Sequence, residues 1–315
     1  MGEGGYQQIN KSLNACAFED YLSAQQSLLP KLLDVDQVSP RVLRVLGQNP
    51  GKFTLQGTNT YIVGTGPRRL IIDTAQGYRA WADLIEETLK ERSVGLSHVL
   101  LTHWHGDHTK GVSDLLRMYP HLAGRVYKNS PDHSQQPIED GQIFAVEGAT
   151  IRAVHAPGHS HDHMCFVLEE ENAMFTGDNV LGHGTSAVEH LGVYMDTLRK
   201  LQAQGCTVGY PAHGAVVTDL PGKISAEIAQ KTRREEQCLV ALGRLHRAKG
   251  AAGQAGSVTV SELIDAIHGC QLDEQVRKMV LGPFFDEVLS KLAGDGKVGF
   301  CVRRGVKRWF ALLSE

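Results

Sequence analysis

Residues 98–108 read HVLLTHWHGDH. A short apolar run, the pattern of a buried strand, passes without a spacer into six residues that carry three imidazoles and one carboxylate: His103, His105, Asp107 and His108. Imidazole nitrogen and carboxylate oxygen are the donors that borderline-soft zinc prefers. A tight loop can turn His103 and His105 toward one ion while Asp107 and His108 face a second. The competing reading is a solvated loop that is merely rich in histidine. It does not explain why so dense a cluster follows a buried strand directly.

The chain around this junction alternates between strands and helices. TYIVG at 60–64 and RLIID at 69–73 read as neighbouring strands joined by a Gly-Pro turn at 66–67. Trp81, Leu84, Ile85 and Leu89 share one helical face, and Val112, Leu115, Leu116 and Tyr119 share another. Further strands are expected at 150–154, 164–168, 173–176 and 207–210. Their ends run into APGHSHDH, GDN and PAHG. Strands that all end in His or Asp suit a metal site shared at one edge of stacked sheets, because reactive groups commonly sit on loops held by a rigid scaffold.

Upstream, residues 1–41 read as an extension with a helix around 18–33 whose end Pro30 blurs. Downstream of residue 220 the pattern changes. Residues 223–249 are charged and helical, GAAGQAGS at 250–257 reads as a loop, and Val260, Leu263, Ile264 and Ile267 mark one helix. Phe285, Val288, Leu289 and Leu292 mark another, and KVGFCVRRGVKRWFAL reads as a β-hairpin. Helix, helix, hairpin is the order of a small winged-helix module. The expected division is an extension at 1–41, a catalytic domain at 42–220, and a helical linker with a winged-helix-like module at 221–315.

Charge limits the partners. The 315 residues carry a net charge of −3. Residues 1–220 hold 17 Lys and Arg against 24 Asp and Glu, a balance of −7; residues 221–315 hold 15 against 11, a balance of +4. No overall basic field favours nucleic acid. No apolar run approaches a membrane span, and the N-terminal residues show neither a signal peptide nor a myristoylation pattern. Cys16, Cys165, Cys206, Cys238, Cys270 and Cys301 are dispersed without a C-x-x-C pair, which points to free thiols in a reducing, cytoplasmic setting.

The run HWHGDH resembles the H-x-H-x-D-H signature of the metallo-β-lactamase superfamily. APGHS at 156–160, TGD at 176–178 and PAHG at 211–214 follow in that superfamily's order, so the resemblance spans residues 42–220. It implies an α/β fold, the αββα sandwich of two stacked sheets with helices outside, here with the small C-terminal winged-helix-like module. It also implies a ligand set. His103, His105 and His159 would hold one metal; Asp107, His108 and His213 would hold the other; Asp178 would bridge them. Read alone, the PGH and PAHG histidines could as well be surface residues of turns. Where many β-lactamases place a cysteine at the second metal, the Asp178 type of bridge stands here, as in the broader hydrolase branches. His161 reads as a solvated loop residue. Asp162 reads as an outer partner that orients ligands.

Two ions close together lower the pKa of a shared water from 15.7 toward about 7 and stabilise a developing oxyanion. The expected cofactor is therefore two zinc ions, with manganese or iron as alternatives. Asp107 is expected to orient the water and move its proton. LQGTNTYIVG at 55–64 and FTGDNVLGHGTSAVEHLGVYMDTLRKL at 175–201 resemble the lactamase-β-2-like branch. Within it the second run and YLSAQQSLLPKL near the N-terminus are similar to the fungal thioesterases that work beside polyketide synthases. That implies hydrolysis of an acyl thioester presented by an acyl carrier protein, yielding an aromatic polyketide acid. Three alternatives stand beside it: an endoribonuclease of the same branch, a glyoxalase-like hydrolase of small thioesters, and a metal-binding scaffold without activity. The acidic balance of residues 1–220 opposes a polyanionic substrate, and an intact ligand set opposes an inactive scaffold.

Overall fold

The computed structural model describes residues 29–251 and 256–312. Of the helix expected around 18–33, residues 18–28 lie outside the described residues, and residues 29–33 are not helical. Part of the 250–257 loop and Cys16 likewise lie outside them.

Two sheets form the body. The first has seven strands in sequence order: β1 (Val35–Ser39), β2 (Val42–Leu46), β3 (Asn59–Val63), β4 (Arg68–Ile72), β5 (Gly95–Leu100), β6 (Val126–Lys128) and β7 (Gln136–Pro137). β1 to β4 pair antiparallel, and β4 to β7 pair parallel. The second sheet has five strands in the order β12-β11-β10-β9-β8. These are β8 (Ile143–Val146), β9 (Ala149–His155), β10 (Met164–Leu168), β11 (Ala173–Gly177) and β12 (Val208–Pro211). β1 lies upstream of residue 42, where the sequence suggests the catalytic domain begins. Its pairing with β2 makes it the outer strand of the first sheet.

Two apolar layers account for the sandwich. Val42, Tyr61, Val63, Leu70, Ile72 and Leu100 of the first sheet pack with Phe144, Ile151, Phe166, Leu168 and Phe175 of the second. On the other face of the first sheet, Leu43, Val45, Ile62, Ile71 and Val99 meet Trp81, Ile85, Leu89 and Leu115. Those residues belong to α1 (Arg79–Glu91) and α3 (Val112–Met118), with α2 (Gly106–Thr109) between them. With both faces covered, β2 and β3 are buried throughout. Their polar residues Arg44, Asn59 and Thr60 are buried with the rest. On the second sheet lies α4 (Leu191–Gln202), whose Tyr194 hydroxyl donates to the Asn179 carbonyl at 2.7 Å and whose Thr197 hydroxyl donates to that of Pro157 at 2.6 Å.

The described residues divide into two compact units, 29–226 and 227–312. The division falls inside α5 (Leu220–Ala251), past the expected boundary at 220, because Leu220 and Ile224 are buried in the first unit. In the second unit, α6 (Val260–His268) begins with a capping box: Thr259 Oγ1 accepts from the Glu262 amide, and Glu262 accepts from the Thr259 amide. α7 (Gly282–Gly294) and the hairpin of β13 (Val298–Arg303) and β14 (Val306–Ala311) follow. Leu263, Ile264, Phe285, Val288, Leu289, Leu292 and Trp309 are buried. A short helical turn at Glu274–Val276 and a π-helical turn at Arg277–Leu281 stand between α6 and α7.

One glycine sets the site's loop against the first sheet. A Cβ on Gly111 would overlap the Thr74 carbonyl and the Trp81 ring. Its absence lets the turn between α2 and α3 sit where Thr74 donates from its amide and its hydroxyl to the His108 carbonyl, both at 2.8 Å. Gly111→Ala should therefore cost about 3 kcal/mol, the upper end of overpacking penalties because the obstacle is backbone. A urea midpoint unchanged from the unmodified chain would show that the turn shifts freely.

Candidate metal centre

Every residue expected as a metal ligand follows the C-terminal end of a strand. His103, His105, Asp107 and His108 follow β5, His159 follows β9, Asp178 follows β11 and His213 follows β12. Five strand ends of two sheets therefore converge on one edge, counting β4, which ends at Asp73. Two groups form there. The ligand atoms of His103, His105, His159 and Asp178 lie within 4.8 Å of one another, and so do those of Asp107, His108 and His213.

In the first group three imidazole nitrogens meet. His103 Nε2 lies 2.8 Å from His105 Nδ1 and 3.3 Å from His159 Nε2, and His105 Nδ1 lies 3.1 Å from His159 Nε2. Bonds of 2.0–2.1 Å to a tetrahedral ion separate its nitrogens by roughly 3.3 Å, so this triangle fits a metal. The far nitrogens are committed elsewhere. His159 Nδ1 donates to the Ala187 carbonyl at 2.8 Å, and His103 Nδ1 meets Thr102 Oγ1 at 2.9 Å.

In the second group, His213 Nε2 stands 3.4 Å from Asp107 Oδ2, and His108 Nε2 stands 3.5 Å from the same oxygen. Asp178 lies between the groups. One carboxylate oxygen is 3.5 Å from His159 Nε2 and 3.6 Å from His108 Nε2; the other is 3.2 Å from His213 Nε2. His108 Nε2 and Asp178 Oδ1 are buried without a hydrogen-bond partner among the described residues. Buried polar atoms are seldom left so, and a cation between them would satisfy both.

Sequence reasoning missed the residue behind this arrangement, Asp73. Buried at the end of β4, it accepts from His108 Nδ1 at 2.8 Å, from the Thr102 amide at 2.8 Å and from Thr102 Oγ1 at 2.8 Å. A hydroxyl that donates to Asp73 must accept from His103 Nδ1. One carboxylate thus sets the tautomer of an imidazole in each group, the outer arrangement that raises ligand basicity. Its signal was a lone charge closing the apolar run RLIID. His163, which the sequence alone leaves open between an outer partner and a solvated loop residue, is buried; its Nε2 accepts from the Asp178 amide at 3.0 Å, and its ring stacks on His103. Asp162 is buried, as an outer partner would be, and its own partners are Ser160 Oγ at 2.9 Å and Lys128 Nζ at 3.7 Å. His161 is exposed, as read. Cys165 sits on β10, its thiol pushed up to about 12 by burial.

The groups differ in charge. Burial, reinforced by His159 and His108, holds His105 down to about 3. Burial and then His108 hold His103 well below the usual imidazole value. In the second group burial opposes charge but loses: Asp178 and Asp107 raise His213 to about 9, and Asp107, Asp178 and Asp73 raise His108 well above its usual value. Asp107 and Asp178 stay ionised despite burial, because these imidazoles face them.

A metal entering the second group must displace protons from His108 and His213 that His103 and His105 do not hold, so its binding weakens as pH falls below about 9. The protein should hold two ions per chain at about pH 8 and lose one before the other on titration to about pH 5.5. Elemental analysis after equilibration at each pH reads this, and simultaneous loss of both ions would contradict it. Asp73→Asn should leave the chain folded and weaken metal binding roughly 10–100-fold, read by competition with a chromophoric chelator.

Residues 53–213 match the family model of the metallo-beta-lactamase superfamily. The atrochrysone carboxyl ACP thioesterase of Paecilomyces divaricatus is 77% identical over 99% of this chain and 98% of its own length. That of Aspergillus aculeatus is 76% identical over 99% and 100%. Among solved structures, a beta-lactamase domain protein from Burkholderia ambifaria has a TM-score of 0.72 at 18% identity, covering 90% of this chain and 95% of its own. A metallo-beta-lactamase family protein from Thermus thermophilus has a TM-score of 0.64 at 22% identity, covering 87% and 100%. With the sandwich, the strand-end cluster and these matches in agreement, the chain belongs to the metallo-beta-lactamase superfamily.

Proposed function

We propose that this protein is a metal-dependent thioesterase that releases an aromatic polyketide acid from the acyl carrier protein of a polyketide synthase. The observation that carries the reading from hydrolase to thioesterase is the identity of 77% over 99% of the chain with a relative of that name. The geometry supports the hydrolase half, since both clusters are assembled in full. His103, His105 and His159 would hold one ion, Asp107, His108 and His213 would hold the other, and Asp178 stands where both could use it. Imidazole and carboxylate donors make zinc the first choice.

Two such ions supply Lewis acidity that activates water and stabilises the oxyanion of the attacked carbonyl. Asp107 does the protein's share of the proton work. Its side chain is 23% exposed at the open side of the cluster, and the imidazoles beside it keep it ionised. It accepts a hydrogen bond from the attacking water and takes its proton as the new C–O bond forms. The C–S bond then breaks, and the leaving pantetheine thiolate takes up the proton that Asp107 holds, which returns Asp107 to its ionised form. Thr58 fixes the Asp107 backbone, its hydroxyl donating to the Asp107 carbonyl at 3.0 Å.

Residues 227–312 are read as the winged-helix-like module of the same enzyme. Among the described residues no helix is long and apolar enough to cross a membrane, and the buried free thiols Cys165, Cys206 and Cys238 suit a reducing, cytoplasmic setting.

The zinc-loaded protein should hydrolyse a carrier-bound aromatic thioester and leave an RNA oligomer intact. Cleavage of the RNA with no thioester turnover would overturn the proposal. Asp107→Asn should fold but lose about 10³-fold or more in kcat, since it removes the proton acceptor and a ligand charge together. His161→Ala, on the exposed side of the loop, should stay within severalfold of the unmodified rate.

A further inference from the structure

The second unit carries a basic cleft that the chemistry above does not use. It encloses about 520 Å³ and is lined by Lys249, Ser257, Thr259, Arg303, Arg304, Val306 and Arg308. Two of its cations are already engaged. Lys249 Nζ lies 2.6 Å from Glu262 Oε1, and Arg308 Nη2 lies 2.8 Å from Glu262 Oε2. One carboxylate thus answers two cations, while Arg303 and Arg304 are exposed and have no hydrogen-bond or ion-pair partner among the described residues. Buried Ser257 Oγ also has no partner among them. Arg304 and Gly305 form the two-residue turn of the hairpin with φ of 51° and 75°. Both turn positions require positive φ, which Asn or Gly adopts at less strain than arginine. A guanidinium at that tip is a feature the fold itself does not ask for.

Apolar surface adjoins the charge. Val306, 49% exposed, shares the cleft face with Arg303 and Arg308, while Phe300 and Val302, 54% and 63% exposed, lie on the other face of the same hairpin. Lys307 Nζ lies 4.6 Å from the Phe300 ring centre. Exposed apolar side chains beside unpaired arginines are the composition of a protein-binding surface, where arginine and aromatics are enriched. A nucleic-acid surface is more uniformly polar and basic, and the net charge of −3 for the whole chain gives no field for one.

We infer that this cleft and the hairpin tip dock an acidic protein partner, the acyl carrier protein that brings the thioester. The inference rests on the thioesterase reading. Carrier proteins are acidic, and their carboxylates would pair with Arg303 and Arg304 while an apolar side chain covers Val306. Such pairing speeds and orients encounter, and salt screens it over roughly 8 Å at physiological ionic strength.

The test measures binding apart from turnover. A holo carrier domain of a polyketide synthase is titrated into the full-length, zinc-loaded protein by calorimetry at low and high salt. Arg303→Glu with Arg304→Glu should raise Kd at least roughly tenfold at low salt, and Arg303→Lys with Arg304→Lys should restore most of the affinity. The metal content and Tm should not move. With a benzoyl thioester, the reversal should raise KM on the carrier-bound form and leave hydrolysis of benzoyl pantetheine unchanged. Equal carrier affinity before and after reversal, no carrier binding by the unmodified protein, or tighter binding of a DNA duplex than of the carrier would each overturn the inference. Failure of the unmodified enzyme on both thioesters would instead sink the thioesterase reading, whatever the binding data say.

Discussion

The metal centre depends on the Asp73 carboxylate. It accepts from Thr102 twice and from His108 once, and through the Thr102 hydroxyl it reaches His103. It does so from a backbone with φ of 58°, which costs about 1–3 kcal/mol for a residue with a side chain. Three hydrogen bonds to a charged acceptor, each worth about 1.5–3 kcal/mol, exceed that strain. β4 and β5 are neighbours in parallel register, with Ile72 opposite Leu100. The strand that ends in Asp73 therefore delivers its carboxylate directly beside the strand that ends in the histidines.

From this anchor the two halves of the site diverge in how they are kept. In the first set His103 and His105 are crowded and buried, so they resist charge and remain neutral lone-pair donors. The second set faces Asp107 and Asp178 and is held by attraction between opposite charges. Attraction of that kind keeps the second set in place before an ion arrives. The first set relies on outer hydrogen bonds, such as that of His159 to Ala187, to keep like dipoles aimed at one another.

Much of this was legible in the sequence. The apolar run before HWHGDH and the strands at 60–64, 69–73 and 164–168 were legible as short apolar runs bounded by turn residues, and the helices of the C-terminal unit from their helical spacing. β6 and β7 are two or three residues long, too short for any period to register. α4 was overlooked although Leu191, Tyr194, Met195, Leu198 and Leu201 recur at helical spacing and are buried. The histidines around it drew the eye to chemistry instead of to packing. Asp73 and Thr102 escaped because their work is visible only once β4 and β5 lie side by side. His163 was hidden by its company: in HSHDH only the first imidazole reaches the cluster directly, the second points outward, and the third turns inward to hold the Asp178 backbone.

Each metal-facing side chain hangs from the backbone just past the end of a strand, and none lies within a sheet. The interiors of the strands are therefore free to drift as long as both faces stay apolar and their lengths are kept. The Burkholderia ambifaria structure shares this fold, with a TM-score of 0.72, at 18% identity. Selection for a new acyl group has little to gain from the sheets. It can act on the loops that close over the edge, one exchange at a time, while the ends of the strands keep the ions where they are.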